Sequence, residues 1–137
     1  MGFFRLTQVG QNARPMEQQF LAMDVRQLEK LSVLQDEDAP NLVAEMARGY
    51  LGRTPQRINR MKELLAARNS YQLASEAHGL ATSSGMFGMM RVRQHCKALE
   101  NLARGSSLDG AEGLLTQVEH AYAEARPLLM TQLGIQE

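Results

Sequence analysis

The most regular hydrophobic pattern in the chain lies between residues 70 and 105. Small or apolar positions recur there at intervals of three and four residues: Leu73, Ala77, Leu80, Ser84 and Phe87. Beyond Gly88 a second series of the same kind follows: Met89, Val92, Cys96, Leu99 and Ala103. Such intervals are typical of a helix with one buried face, and a glycine between two such helices indicates a tight turn. The pattern predicts two antiparallel helices over about 70–87 and 89–105, at the centre of the fold.

Weaker patterns predict further helices before this pair. Between Met16 and Leu34 the apolar residues have roughly helical spacing, and Asp24 is suited to cap a second helix, so one bent helix or two short helices both fit. The acidic turn 36–40, in which Asp38 and Pro40 are suited to begin a helix, precedes a helix predicted over about 40–52. Its expected buried residues are Val43, Met46, Ala47 and Tyr50.

Thr54–Pro55 has the form of another helix start, because a threonine hydroxyl can cap and proline is harmless at the first helical position. A separate helix is therefore predicted over about 55–68. Its expected buried residues are Ile58, Met61 and Leu65. Asn69 and Gln72 resemble a capping box at the beginning of the next helix.

The C-terminal part of the chain predicts a last helix over about 108–130. Asp109 and Glu112 are expected to cap it, and Pro127 is expected to kink or end it. Its expected buried residues are Ala111, Leu115, Val118, Tyr122, Ala125 and Leu129. The whole pattern predicts an all-α domain over residues 16–133, an antiparallel four-helix bundle with an additional N-terminal helix, after a tail formed by residues 1–15. Periodicity leaves open which four helices form the bundle.

Charge and composition remove several classes of function. Lysine plus arginine equals aspartate plus glutamate at 15 each, so no global field favours nucleic acid or an anionic membrane surface. No apolar run is long enough to span a bilayer, and the first residues do not resemble a secretory signal. The single cysteine, Cys96, lies on the apolar series and is expected to be inert in the core. We expect a cytoplasmic protein with neither a nucleic-acid partner nor a membrane partner.

Among the three histidines, His78 has an unusual setting. It follows Ala77 and is therefore about 100° around the helix from the buried face, where its imidazole should reach water. The helix positions around it are all small: Ala74, Ser75, Ala81, Thr82 and Gly85. A face this bare would let another protein approach the ring closely. His95 and His120 have no such setting, and no group of residues resembles a metal site.

The residues from Ala77 to Gly88, with the letters AHGLATSSGMFG, resemble the signature of the histidine-containing phosphotransfer (HPt) family. The matching elements are His78, Leu80, Ser83, Ser84 and Gly88. Cys96, Leu99 and Glu100 resemble the family's next helix, and the similarity extends loosely from about Asp24 to Leu129. The resemblance implies that His78 accepts a phosphoryl group from the aspartyl phosphate of a receiver domain and passes it to another receiver's aspartate. We expect the attack to come from Nε2.

The resemblance also implies the partners, which are response-regulator receiver domains or a hybrid sensor kinase. No cofactor and no ATPase activity are expected, since nothing in the sequence resembles a glycine-rich phosphate loop. The residues expected to form the receiver-docking face and the phosphoryl surroundings are Ser75, Ala81, Thr82, Gly85, Met86, Lys97 and Arg104. A monomer is expected, with a dimer through the N-terminal helix as the alternative.

The chain departs from the family at Ala81 and Thr82, where the family usually has lysine followed by glycine. The usual cation beside the histidine is therefore missing, although a phosphohistidine gains from a positive neighbour. Counting back from the turn at Gly88 places residues near Ala98 opposite His78. Lys97 and Arg104 are therefore the candidates to supply the charge.

Two other functions compete with phosphotransfer. One is an HPt-like module that docks receivers or kinases without transfer, in which the missing lysine marks a lost activity. The other is a helical scaffold or oligomerisation domain, which would bind no receiver. The presence of His78 among small residues favours phosphotransfer over both.

Overall fold

The computed structural model describes residues 22–105 and 107–135, and all regular structure in these residues is helical. The helices in chain order are α1 Val25–Ser32, α2 Leu42–Ala66, α3 Ser70–Met86, α4 Met90–Ala103 and α5 Ala111–Leu133. The four long helices pack in a ring, α2 on α3, α3 on α4, α4 on α5 and α5 on α2, while α1 packs on α2 and α3. The predicted all-α bundle with an additional N-terminal helix is confirmed. The predicted tail 1–15 and the chain up to residue 21 lie outside the described residues.

Helix α2 is continuous through Thr54–Pro55, so the two separate helices predicted on either side of this pair are one. Proline has no N–H, and within a helix it leaves the carbonyl four residues earlier, that of Leu51, without its usual donor. The Tyr122 hydroxyl on α5 donates a hydrogen bond to this carbonyl at 3.2 Å. The Thr54 hydroxyl does not cap a new helix but donates to the Tyr50 carbonyl at 2.6 Å. A side chain from a distant helix thus replaces the donor that the proline removes.

The first turn of α2 is held by residues that precede it. The helix begins at Leu42 rather than at Pro40 as predicted. The Gln35 side chain accepts a hydrogen bond from the Val43 N–H at 3.1 Å. The Asp36 carboxylate accepts from two backbone N–H groups within the acidic turn. The turn therefore satisfies its own backbone and leaves the cap of α2 to a side chain further back.

Two predicted helix caps are confirmed. The Asp24 carboxylate accepts from the Arg26 N–H at 3.1 Å at the beginning of α1, and the Asn69 side chain accepts from the Gln72 N–H at 3.1 Å at the beginning of α3. The capping box predicted for Asn69 and Gln72 is only half formed. The Gln72 side-chain oxygen accepts from Arg60 on α2 at 3.3 Å instead, and the Asn69 N–H donates to the Leu64 carbonyl.

The prediction that Asp109 caps α5 is wrong, and of the two outcomes expected at Pro127, a kink or an end, the end does not occur. The N-cap residue of α5 is Gly110, at φ +88°, and no side chain caps the helix, so Asp109 does not have the predicted role. The helix also continues past Pro127 to Leu133. The left-handed backbone conformation of Gly110 directs the chain from the loop into the first turn of α5, at the position where a side-chain cap was expected.

The core is formed by the predicted series of residues. All residues of the two regular series predicted for α3 and α4, which together we call the seam, are buried, and so are all residues predicted to be buried on α5. On α2, Leu64 is buried where Leu65 was predicted, and Leu65 and Met46 are only partly buried. Burial raises the pKa of the Cys96 thiol to about 12, although nearby Arg57 opposes this, so the thiol stays protonated at neutral pH, as expected of an inert core residue.

The turn between α3 and α4 is fixed to the beginning of α1. Gly88 has φ +78°, and a Cβ atom there would overlap the backbone carbonyl oxygen of Asp24. The Asp24 N–H donates to the Gly88 carbonyl at 2.7 Å. Only glycine meets both requirements, the positive φ and the close approach of another backbone. This contact holds the α3–α4 pair, which carries His78, in a set position.

Candidate functional site

His78 lies in the middle of α3, on the rim that faces α4. Its side chain is 64% exposed, while Ala77 beside it is fully buried. The prediction that the imidazole reaches water is therefore confirmed. Because the backbone of α3 is set by the packed seam, an exposed ring at this position is presented on a rigid support.

A carboxylate from α4 holds one nitrogen of the ring. His78 Nδ1 lies 3.2 Å from Glu100 Oε1 and 3.1 Å from Oε2. An ionised carboxylate can accept hydrogen bonds but cannot donate them, so Nδ1 carries the proton in this contact. In the neutral ring the lone pair is then on Nε2, the nitrogen that faces away from Glu100. The contact thus selects the tautomer in which Nε2 is nucleophilic.

Glu100 is itself kept ionised by its surroundings. Arg104 Nε donates to Glu100 Oε2 at 3.0 Å, and a terminal guanidinium nitrogen lies 2.8 Å from the same oxygen. Partial burial raises the pKa of Glu100, but hydrogen bonds from Arg104 and His78 lower it by more, so the pKa lies below its ordinary 4.5. Glu100 therefore links two partners. It accepts hydrogen bonds from Arg104, and across the α3–α4 groove it accepts one from His78.

The surroundings of His78 are only partly the bare face that was predicted. Ser75 and Thr82 are exposed as expected, and Met86 is 42% exposed. Ala81 is only 4% exposed and belongs to the core, as does Ala74. The expectation that Ala81 is part of an exposed face is therefore wrong, while its place in the surroundings of the phosphoryl group stays a prediction.

Glycines on either side of His78 are covered by arginine side chains. A Cβ at Gly85 would lie 2.8 Å from Cδ of Arg93, and a Cβ at Gly79 would lie 3.1 Å from a guanidinium nitrogen of Arg57. Arg57 also pairs with Glu76 at 3.2 Å. Gly85 was predicted as an open part of the docking face, and the stem of Arg93 occupies that place.

An exposed stripe runs along the outer side of α3, and we call it the docking stripe. Its members recur at intervals of four, three, four and four: Tyr71, Ser75, His78, Thr82 and Met86. Tyr71 is 81% exposed and was missed by sequence reasoning. Its spacing of seven residues from His78 was the signal that could have found it.

The two predicted cations are in different states. Arg104 is paired with Glu100, as described above. Lys97 is exposed and forms no hydrogen bond or ion pair with the described part of the chain. Glu100 itself was missed as a partner of His78, although its pairing with Arg104 at i,i+4 was readable from the sequence.

The described residues contain neither a metal-binding cluster nor a membrane-spanning helix. Residues 22–105 and 107–135 contain no group of three or more histidine, cysteine, aspartate or glutamate side chains placed to hold a metal ion. Within the same ranges no helix has the length and apolar character needed to cross a membrane.

Comparison with known proteins identifies the family. A family model described as Hpt domain matches residues 45–127, which is more than half of the chain. The crystal structure of histidine-containing phosphotransfer protein B (HptB) from Pseudomonas aeruginosa PAO1 aligns with a TM-score of 0.73 and 24% identity over 82% of this chain and 95% of that one.

An X-ray structure described as a histidine-containing phosphotransfer protein from rice aligns with a TM-score of 0.69 and 25% identity, over 80% of this chain and 78% of that one. No curated protein sequence matches. The domain match covers α3, α4 and most of α2 and α5, so it includes His78 and Glu100. The chain belongs to the Hpt domain family.

Proposed function

We propose that His78 relays a phosphoryl group between the aspartates of receiver domains in a two-component pathway. The observation that carries this proposal is an exposed imidazole whose Nδ1 is bound by Glu100, which leaves Nε2 as the free nucleophile. The family relationship supports the same function. Residues Ser75, Thr82 and Met86 of the docking stripe would meet the receiver, and Arg93 rather than Gly85 would form the edge of the contact.

The transfer itself needs little from this chain. The Nε2 lone pair of His78 attacks the phosphorus of an aspartyl phosphate, the Nε2–P bond forms, and the bond between phosphorus and the carboxylate oxygen breaks. The ring gains positive charge, which the ionised Glu100 stabilises through the Nδ1 proton. The second transfer reverses these steps toward another aspartate. Metal and further charge stabilisation would come from the receiver.

The proposal extends to the general character of the protein. It acts as a phosphocarrier without ATPase or kinase activity of its own, in the cytoplasm, as a monomer that binds receivers transiently. Transient contact suits a carrier because a tight complex would prevent the exchange of donor for acceptor. Size-exclusion chromatography with light scattering tests the monomer, and a dimer mass would contradict it.

The deciding experiment is labelling by a phosphorylated receiver domain. The wild-type chain should acquire acid-labile, base-stable label, and His78→Ala should acquire none. His120→Ala is the matched control, because it removes another exposed histidine, on α5, and should label as the wild type does. Label that persists in His78→Ala would refute the assignment of His78.

A receiver-docking module without transfer is the second candidate, because no cation stands at position 81 and Ala81 is buried there. This candidate predicts that receivers bind to the docking stripe while no label appears with any donor. Binding measured by titration calorimetry, together with the labelling experiment, separates the two functions. Label on His78 would eliminate the docking-only module.

A further inference from the structure

We infer that Lys97, and not Arg104, supplies the positive charge beside the phosphorylated His78, and that it does so from α4 in place of a residue on α3. This inference rests on the proposed function, since it concerns the surroundings of the same phosphoryl group. It follows from the register of α3 against α4, from the partners of each nearby cation, and from exposure.

Two contacts define how α3 and α4 run past each other. Gly85 lies against the stem of Arg93, and His78 lies against Glu100. Between these contacts, seven residues toward the N-terminus of α3 correspond to seven residues toward the C-terminus of α4. The same register places Ala74 opposite Arg104, and both residues line a groove near the far end of the pair.

The same register places Lys97 opposite Ala81. Ala81 is one helical turn from His78, about 4.5 Å along the axis. It is also the position at which the resembling family usually carries its lysine. Since Ala81 is buried and small, it leaves the outer rim of the groove open to a side chain from the opposite helix. Lysine suits this task because its ammonium stands on a flexible four-carbon stem.

The other cations near the site are already engaged or displaced. Arg104 gives its hydrogen bonds to Glu100, whose negative charge offsets its own. Arg57 covers Gly79 from the side of α2 and pairs with Glu76. Arg93 covers Gly85, which is seven residues from His78 and therefore about 10 Å along the helix. Of these four, Lys97 and Arg93 have no side-chain hydrogen-bonding or ion-pair partner in the described residues, and the register places Lys97 nearer to His78.

A phosphohistidine would therefore lie between two groups with separate tasks. Glu100 holds the Nδ1 proton on the inner side of the ring, and the Lys97 ammonium meets the phosphoryl oxygens on Nε2 at the outer rim. Charge-assisted hydrogen bonds to phosphoryl oxygens are among the stronger polar contacts in proteins, although water and salt weaken them at an open site.

The test uses phosphoramidate as the donor, so that no receiver contact enters the result. The Nε2 lone pair of His78 forms the new N–P bond, the P–N bond of phosphoramidate breaks, and ammonia leaves. The chain has only three lysines, Lys30, Lys62 and Lys97, so protein labelled with ¹³C-lysine gives three side-chain signals. Phosphorylation should shift the Lys97 signal strongly and the other two very little.

The kinetic test compares matched charge removals. Lys97→Gln should slow phosphorylation of His78 about threefold to tenfold, and the difference from wild type should shrink as salt is raised. Lys97→Arg should retain most of the rate. Lys30→Gln, which removes an exposed lysine from α1, should behave as the wild type does.

A relocation of the charge guards against an indirect effect of the substitution. Thr82→Lys introduced into the Lys97→Gln variant places a lysine at an exposed position one turn from His78 and should restore part of the rate. Label on His78 with an unmoved Lys97 signal, or an unchanged rate in Lys97→Gln, would overturn the inference while the proposed function stands. Absence of label from wild-type His78 would overturn both.

Discussion

Helix α4 packs against α3 on one side and against α5 on the other, and a histidine lies in the groove on each side. On the α3 side, His78 is exposed and bound to an ionised carboxylate. On the α5 side, His95 lies in a groove with Arg91, His120 and Glu124. Burial and the charge of Arg91 lower the pKa of His95, so its neutral form is favoured. No carboxylate in the described residues binds one of its ring nitrogens, so neither nitrogen is selected as the nucleophile. The two histidines therefore differ chiefly in their carboxylate partner. Glu100 binds the ring of His78, whereas Glu124 in the other groove pairs with Arg91.

The largest expected effect is a loss of stability at two glycines, one in the turn between α3 and α4 and one in the loop between α4 and α5. Gly88 and Gly110 both have positive φ, but only at Gly88 would a Cβ overlap another backbone. Gly88→Ala should therefore lower the free energy of unfolding by about 3 kcal/mol, and Gly110→Ala by about 1 kcal/mol. Urea unfolding measures both. Equal losses would mean that the contact with Asp24 contributes little to holding the α3–α4 pair.

The next effect tests the carboxylates on the two sides. Glu100→Gln keeps an acceptor for Nδ1 but removes the charge, which should slow phosphotransfer to His78 about tenfold, since a hydrogen bond to a charged group exceeds a neutral one by about 1.4 kcal/mol. Glu124→Gln makes the same change on the α5 side, where Glu124 pairs with Arg91 at 2.7 Å. It should leave the rate unaltered. If both variants transfer at the wild-type rate, the ring needs no charged partner.

Sequence reasoning reached the helices and the position of His78 because both depend on local periodicity. It failed at Thr54–Pro55 because the donor that lets α2 continue comes from Tyr122, far along the chain. Local signals at this pair predicted a helix start, and a tertiary hydrogen bond outweighed them.

The partner of His78 was missed for a related reason. Counting from Gly88 placed residues near Ala98 opposite the ring, whereas the partner is Glu100. The count assumed a symmetric turn, and the actual register differs from it by two residues. An error of two residues on a helix rotates the side chain by about 200°, which separates a partner from a solvent-facing residue. Small side chains are typical both of an open face and of close helix packing, and Ala81 belongs to the second kind.

The docking stripe allows a smaller comparison between exposed apolar side chains on different helices. Met86 on α3 and Leu128 on α5 are 42% and 44% exposed, so they are matched in the area that a partner could cover. Met86→Ala and Tyr71→Ala should each weaken receiver binding about fivefold, or about 1 kcal/mol, while Leu128→Ala should not. Titration calorimetry with an unphosphorylated receiver measures this. Weakening by Leu128→Ala alone would move the docking surface to α5.

The smallest effect is a separation of the two sides by pH. The pKa of His95 is lowered from 6.5, so its contribution to stability is present above about pH 6.5 and is lost as the pH falls below it. The pKa of Glu100 is lowered from 4.5, so its contribution is present above about pH 4.5 and is lost only as the pH falls through the lower value.

Unfolding free energies measured from pH 8 to pH 3 should therefore show two windows. His95→Gln should remove part of the slope just below about pH 6.5, and Glu100→Gln part of the slope below about pH 4.5. The Glu100 effect should stay below about 1 kcal/mol, because the ion pair with Arg104 lies at the surface. Loss of the upper window in Glu100→Gln would mean that Glu100 contributes to the window assigned to His95. In that case the two sides of α4 would titrate together rather than apart.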